Sequence, residues 1–122
     1  EAALGNQGGS AVTSDVATGG AMHDVDALVA QSSTPVLIDC YTPGCGPCAS
    51  LSPVLDSLST ELEDQLAIEK IDVSANPDVA ARFAVRGVPT LLLFKDGQLL
   101  ANRTGMASRT QLLTWLSSNG AL

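Results

Sequence analysis

The stretch DCYTPGCGPC, residues 39–48, gathers side chains able to move protons or electrons. Cys45 and Cys48 bracket Gly46 and Pro47, and Asp39 stands six residues before the first cysteine, inside an apolar run. Three chemistries are open to such a cysteine pair: a reversible redox couple, half of a metal site, or a structural staple. A structural zinc site normally takes four ligands, commonly in two spaced pairs. The only further candidates here are Cys40, in the same apolar run, and His23, near the N-terminus. A disulfide closing so short a loop constrains almost no chain entropy and stabilises little as a staple. The redox reading is favoured, and no metal is expected.

That reading depends on where the pair sits. Residues 36–41 form an apolar run interrupted only by Asp39, as in a strand buried on both faces. A helix is predicted over 45–63, with Leu51, Val54, Leu55, Leu58 and Leu62 on its apolar face and Pro53 as an internal kink. The cysteines therefore open a helix that follows a strand. First-turn N–H groups lack intrahelical partners and carry the positive end of the dipole. A thiolate there is stabilised, its pKa falls, and it becomes a nucleophile near neutral pH. Residues i and i+3 share a helical face, so Cys48 can reach the Cys45 sulfur. Pro47 costs no hydrogen bond in the first turn, and Gly46 leaves the Cys45 sulfur unshielded.

A carboxylate inside a buried strand is costly unless it is paired or protonated. Two readings of Asp39 stand: a satisfied polar residue at a strand end, or a desolvated carboxyl with a raised pKa that takes the Cys48 proton. Lys70 lies in a second strand candidate, 66–73, where period two puts it on the face of Leu66 and Ile68. Either its stem runs inward toward Asp39 or its ammonium is a solvated edge charge. Pro89 cannot donate to a sheet ladder and must begin a strand. A cis Val88–Pro89 bond would leave the Val88 backbone free to pair with an extended peptide, although X–Pro bonds are cis in only ~5% of cases.

The remaining pattern supplies the frame. Val25, Leu28 and Val29 mark a short helix at 24–31. Asn76-Pro77 opens another as N-cap and first-turn proline, and Gly87 is expected to end it. Strands at 90–94 and 98–103 flank an Asp96-Gly97 hairpin turn. Ser108 and Gln111 form a capping-box pattern before Leu112, Leu113, Trp115 and Leu116, and Asn119-Gly120 closes this last helix. The order αβαβαββα predicts an α/β fold, a mixed central sheet with helices on both faces in three layers. A further strand at 12–18 is only weakly signalled.

Bulk composition limits the function classes. A length of 122 residues suits one domain. Net charge is −7 with six Lys and Arg, which argues against nucleic acid and anionic membrane surfaces as partners. No apolar run approaches the ~18 residues of a membrane span. Three cysteines are too few for a disulfide-dense scaffold, and the odd count leaves one unpaired in a monomer. Residues 1–21 are rich in Gly, Ala, Ser and Thr and read as a flexible tail ahead of a folded unit at 22–122. The tail carries no basic n-region or apolar h-region, so it is not an intact signal peptide. A native segment, a processing stub and an expression remnant remain open for it, and Met22 suits a start.

Taken together, CGPC after VLIDCYTPG, Pro53, the stretch ANPDVAARFAVRGVPTLLLFKDGQLL and the terminal amphipathic helix resemble the thioredoxin family from about residue 24 onward. The resemblance implies a thioredoxin fold and a protein-disulfide reductase. Cys45 would be the attacking cysteine, Cys48 the resolving one, Asp39 the buried carboxylate with Lys70 its neighbour, and Pro89 cis. Gly44, Gly46, Pro47, Gly87, Val88, Gly105 and Met106 would form the surface where protein disulfides dock. It implies no bound cofactor beyond the redox-active disulfide, protein disulfides as substrates, a thioredoxin reductase or equivalent donor, a monomer, and a cytoplasmic location with an extracytoplasmic one left open. Three positions depart from the family pattern: Gly44 and Tyr41 replace tryptophans, and Cys40 replaces a phenylalanine. Two other functions compete, an extracytoplasmic carrier or oxidase/isomerase-type member of the fold and a non-catalytic binding module.

Overall fold

The computed structural model describes residues 25–122. The expected tail, Met22, His23 and the weak strand signal at 12–18 lie outside them. Four strands, β1 (Val36–Tyr41), β2 (Ala67–Asp72), β3 (Thr90–Lys95) and β4 (Gln98–Thr104), form one sheet in the order β2-β1-β3-β4. β1 runs parallel to β2 and antiparallel to β3, and β3 pairs antiparallel with β4. Helices α1 (Val25–Gln31), α2 (Gly46–Glu61), α3 (Pro77–Arg82) and α4 (Arg109–Ser118) complete the predicted order. β1 has a strand on each side and helices over both faces, which is why its sequence is apolar almost throughout.

Alternation along the strands divides the core into two layers. Leu37, Leu91 and Leu93 pack with Leu51, Leu55 and Leu58 of α2 and Leu112 and Leu116 of α4. Val36, Ile38, Cys40, Leu92 and Phe94 pack on the other face, with Val25 and Val29 of α1 and Val79 of α3. Asp39 falls in register with Leu37, so its carboxyl enters the α2 layer. Pro53 lies inside α2 and lacks the N–H that would bond back to Ala49.

The chain reversals follow their local chemistry. Asp96 (φ 53°) and Gly97 (φ 81°) both take the left-handed values that a two-residue hairpin turn requires. The capping box between Ser108 and Gln111 is formed in both directions. Gly120 (φ 74°) closes α4 in a Schellman arrangement, with Ala121 N donating to Leu116 O at 2.9 Å.

At α3 the expected N-cap is met and the expected end is corrected. Asn76 holds the N-cap position of α3, but its side chain makes no cap bond; Nδ2 donates instead to Asp72 O at 2.9 Å. α3 ends at Arg82 rather than at Gly87. Val85 N donates to Ala80 O at 2.8 Å and Ala84 N to Ala81 O at 3.4 Å, the same Schellman closure as in α4. Its left-handed position is occupied by Ala84 at φ 55°, not by glycine. Half-buried Val85 and Phe83 pack against the α3 layer of the core, so apolar burial holds the closure in place.

An L-residue in the left-handed region costs about 1–2 kcal/mol, against which glycine loses roughly 0.5–1 kcal/mol in unfolded-chain entropy. Ala84 is exposed and its methyl group supports little packing. Ala84→Gly is therefore expected to raise unfolding stability by about 0.5–1 kcal/mol, measured by urea titration. A loss of stability would show that the alanine is not strained.

Candidate redox site

α2 starts where β1 ends, and the first acceptor that its free N–H groups meet is a sulfur. Cys45 is the N-cap, with extended backbone at φ −84° and ψ 114°, and its Sγ accepts from Cys48 N at 3.1 Å. Pro47 falls in the first turn, where its missing N–H leaves no bond unmade. Cys45 and Cys48 form a disulfide with a Cα separation of 5.2 Å. The two sulfurs differ in access: Cys45 is half-buried, whereas Cys48 is 6% exposed.

Three loops adjoin at this disulfide. Cys45 Sγ lies 3.9 Å from Val88 O, and the Val88–Pro89 bond is cis. Pro89 O accepts from Gly105 N at 2.8 Å, which ties the 87–89 loop to the end of β4. Thr90 Oγ1 fixes the same loop by donating to Gly87 O at 2.6 Å. Around the sulfurs, Gly44, Gly46, Pro47 and Gly87 are exposed, Val88 and Gly105 are half-buried, and Met106 is 47% exposed. Gly44 has φ 78°, and a Cβ there would meet nothing within 4 Å. A side chain at this position would be strained by the left-handed backbone, so the rim is bare by conformation as well as by residue type.

A cleft of about 330 Å³ runs inward from the disulfide, bounded by Tyr41, Cys48, Ser52, Lys70 and, at its base, Asp39. Asp39 is 2% exposed, and no protein group donates to its Oδ1. Burial raises its pKa from the usual 3.8 to about 6, with the Lys70 charge opposing the rise and the Asp56 charge adding to it. Asp39 and Lys70 are direct partners in the β1–β2 register. Lys70 lines the same cleft as Asp39, but its ammonium bonds elsewhere. Nζ lies 2.6 Å from Asp56 Oδ1 and 2.6 Å from Ser52 Oγ, both on α2. Cys40 is fully buried in the opposite layer, and burial together with the nearby Asp39 charge pushes its thiol up to about 12. Among the described residues no group of three or more His, Cys, Asp or Glu is placed to hold a metal ion.

Comparison with known proteins bears on the same residues. The sequence model of the family described as Thioredoxin matches residues 20–118. The chain belongs to the thioredoxin family. It is 42% identical over 90 residues to a thioredoxin of Acidithiobacillus ferridurans, covering 74% of this chain and 83% of that protein. A thioredoxin of Haemophilus influenzae is 40% identical over 96 residues, covering 79% of this chain and 90% of its own. The thioredoxin of Pseudomonas aeruginosa is 38% identical over 91 residues, covering 75% and 84%. Like thioredoxins, the chain is a dithiol–disulfide oxidoreductase, with Cys45 and Cys48 placed as a redox couple. The binding-module and extracytoplasmic-carrier readings are not favoured. No helix among the described residues is long and apolar enough to cross a membrane.

Burial of Asp39 has a measurable signature in stability. The folded state binds its proton more tightly than the unfolded chain does. The associated stability is fully present below pH ~3.8 and is lost as pH rises through about 6. The expected loss is roughly 3 kcal/mol, from just over two pH units at ~1.4 kcal/mol each. Urea unfolding of the oxidised protein should therefore show Asp39→Asn gaining on the wild type by that amount between about pH 4 and about pH 7. Parallel stability profiles for the two proteins would contradict the burial argument.

Proposed function

We propose that the chain reduces protein disulfides with Cys45 as the attacking thiolate and Cys48 as the resolving thiol. The unequal access of the two sulfurs carries this assignment: the N-cap sulfur reaches the surface and the third-position sulfur does not. The positive end of α2 and the Cys48 N–H favour negative charge on Cys45 once the dithiol is formed. The Cys45 thiolate attacks one sulfur of a target disulfide, forms a Cys45–target disulfide and expels the other target sulfur as a thiolate. Cys48 then attacks Cys45 Sγ and releases the second target sulfur, leaving the Cys45–Cys48 disulfide. Two electrons pass to the target, and two protons complete its thiols.

Asp39 is the proton acceptor for Cys48 in this reading. It lines the same cleft as Cys48, and its raised proton affinity lets it accept near neutral pH and give the proton up again. Lys70 moderates that affinity through its charge. Val88, beside the Cys45 sulfur, and cis Pro89 receive an extended segment of the target, with Gly44, Gly46, Pro47, Gly87, Gly105 and Met106 forming the exposed surround. The disulfide itself is the electron carrier, so no other cofactor is needed. A thioredoxin reductase or equivalent donor regenerates the dithiol, and the protein acts as a cytoplasmic monomer.

Dithiothreitol-driven insulin reduction tests the assignment. Cys45→Ser is expected to abolish the acceleration, and Cys48→Ser to accumulate a mixed disulfide visible on non-reducing gels. Acceleration by Cys45→Ser equal to that of the wild type would defeat the catalytic reading. Replacing dithiothreitol with NADPH and a thioredoxin reductase then asks whether the bare Gly44 rim is recognised by that donor.

A further inference from the structure

Cys48, Ser52 and Asp56 are spaced i, i+4, i+8 and therefore form one row along α2. The row faces the paired positions Asp39 on β1 and Lys70 on β2, whose Cα atoms are register partners on strands about 5 Å apart. The proximity gives the lysine two choices of carboxylate, the buried Asp39 and the exposed Asp56. It takes Asp56, at 2.6 Å, with Ser52 Oγ as a second anchor at 2.6 Å, while Asp39 Oδ1 receives no protein donor. That choice matters because an ammonium bonded to a buried carboxylate keeps it ionised. A carboxylate held that way is a poor proton store.

We infer that Ser52 and Asp56 are positioning residues that hold the Lys70 ammonium away from Asp39, and so keep Asp39 able to take up and release a proton during turnover. The inference rests on the reading of Asp39 as the acceptor for Cys48. The other groups about Asp39 offer no competing anchor. Cys48 is in the disulfide, Cys40 faces the opposite layer, Tyr41 is the next residue but one on β1, and the β3 partner is the apolar Leu91. Asp56 is two-thirds exposed and Lys70 one-third exposed, so the anchor lies at the protein surface, where substitution leaves the core intact.

The test follows the Asp39 carboxyl by carbon NMR in the oxidised full chain, where Cys45 and Cys48 do not titrate. Asp56→Asn is expected to lower the Asp39 midpoint by about one pH unit, because the freed ammonium turns inward and a repelling charge is lost. In a Lys70→Met background the same substitution should shift it by much less, since only the direct charge effect remains. Ser52→Ala should move the midpoint in the same direction as Asp56→Asn, and Asp56→Glu should restore the wild-type value. An unchanged midpoint in Asp56→Asn, or equal shifts with and without Lys70, would overturn the anchoring role. The pH profile of target release in the reduced enzyme provides a separate check. If the midpoint shifts as expected but the release profile does not follow it, anchoring stands and the acceptor role of Asp39 falls.

Discussion

The N–H groups that begin α2 have no carbonyl to bond, and the atom set against them is the Cys45 sulfur, 3.1 Å from Cys48 N. Most of the site is arranged around that single contact. It requires β1 to finish just ahead of the helix, Pro47 to occupy the first turn, and Cys48 to stand at the third helical position on the buried side. The layer beneath must then accept whatever α2 brings down onto the sheet. Leu51, Leu55 and Leu58 supply the apolar part of that layer, and the row from Cys48 to Asp56 supplies the polar part.

Placing an ionisable group beneath this helix is costly, and the fold limits rather than removes the cost. Asp39 is almost fully buried, yet it borders a cleft that reaches the disulfide, and a lysine stands beside it without bonding to it. A closer ammonium would stabilise the carboxylate and the protein together. The arrangement gives up that stabilisation at the position where proton exchange is useful.

Much of this was legible in the sequence because it is carried by local pattern. The apolar run broken by Asp39, the cysteines ahead of a helical periodicity, the Asp96-Gly97 turn and the Ser108–Gln111 box each determine their own neighbourhood. The end of α3 was misread because Gly87 is the residue that propensity selects, whereas burial of Val85 and Phe83 imposes the left-handed position on Ala84. The side-chain bond of Asn76 was not legible for a similar reason, since a carbonyl from the preceding turn takes its amide. The partner of Lys70 was illegible for a different one. Ser52 and Asp56 belong to no motif, and their meeting with β2 depends on the rotation of α2 about its axis.

The bare rim at Gly44 also changes what light can report. The chain has one tryptophan, Trp115, and it lies on α4 with the Arg103 guanidinium of β4 5.8 Å from its ring centre. β4 is two strands removed from β1, which hands the chain to the disulfide. With glycine beside Cys45, no indole stands next to the sulfurs to be quenched by them. Tryptophan emission in this protein is thus a gauge of how α4 seats on the sheet rather than of the oxidation state of the disulfide.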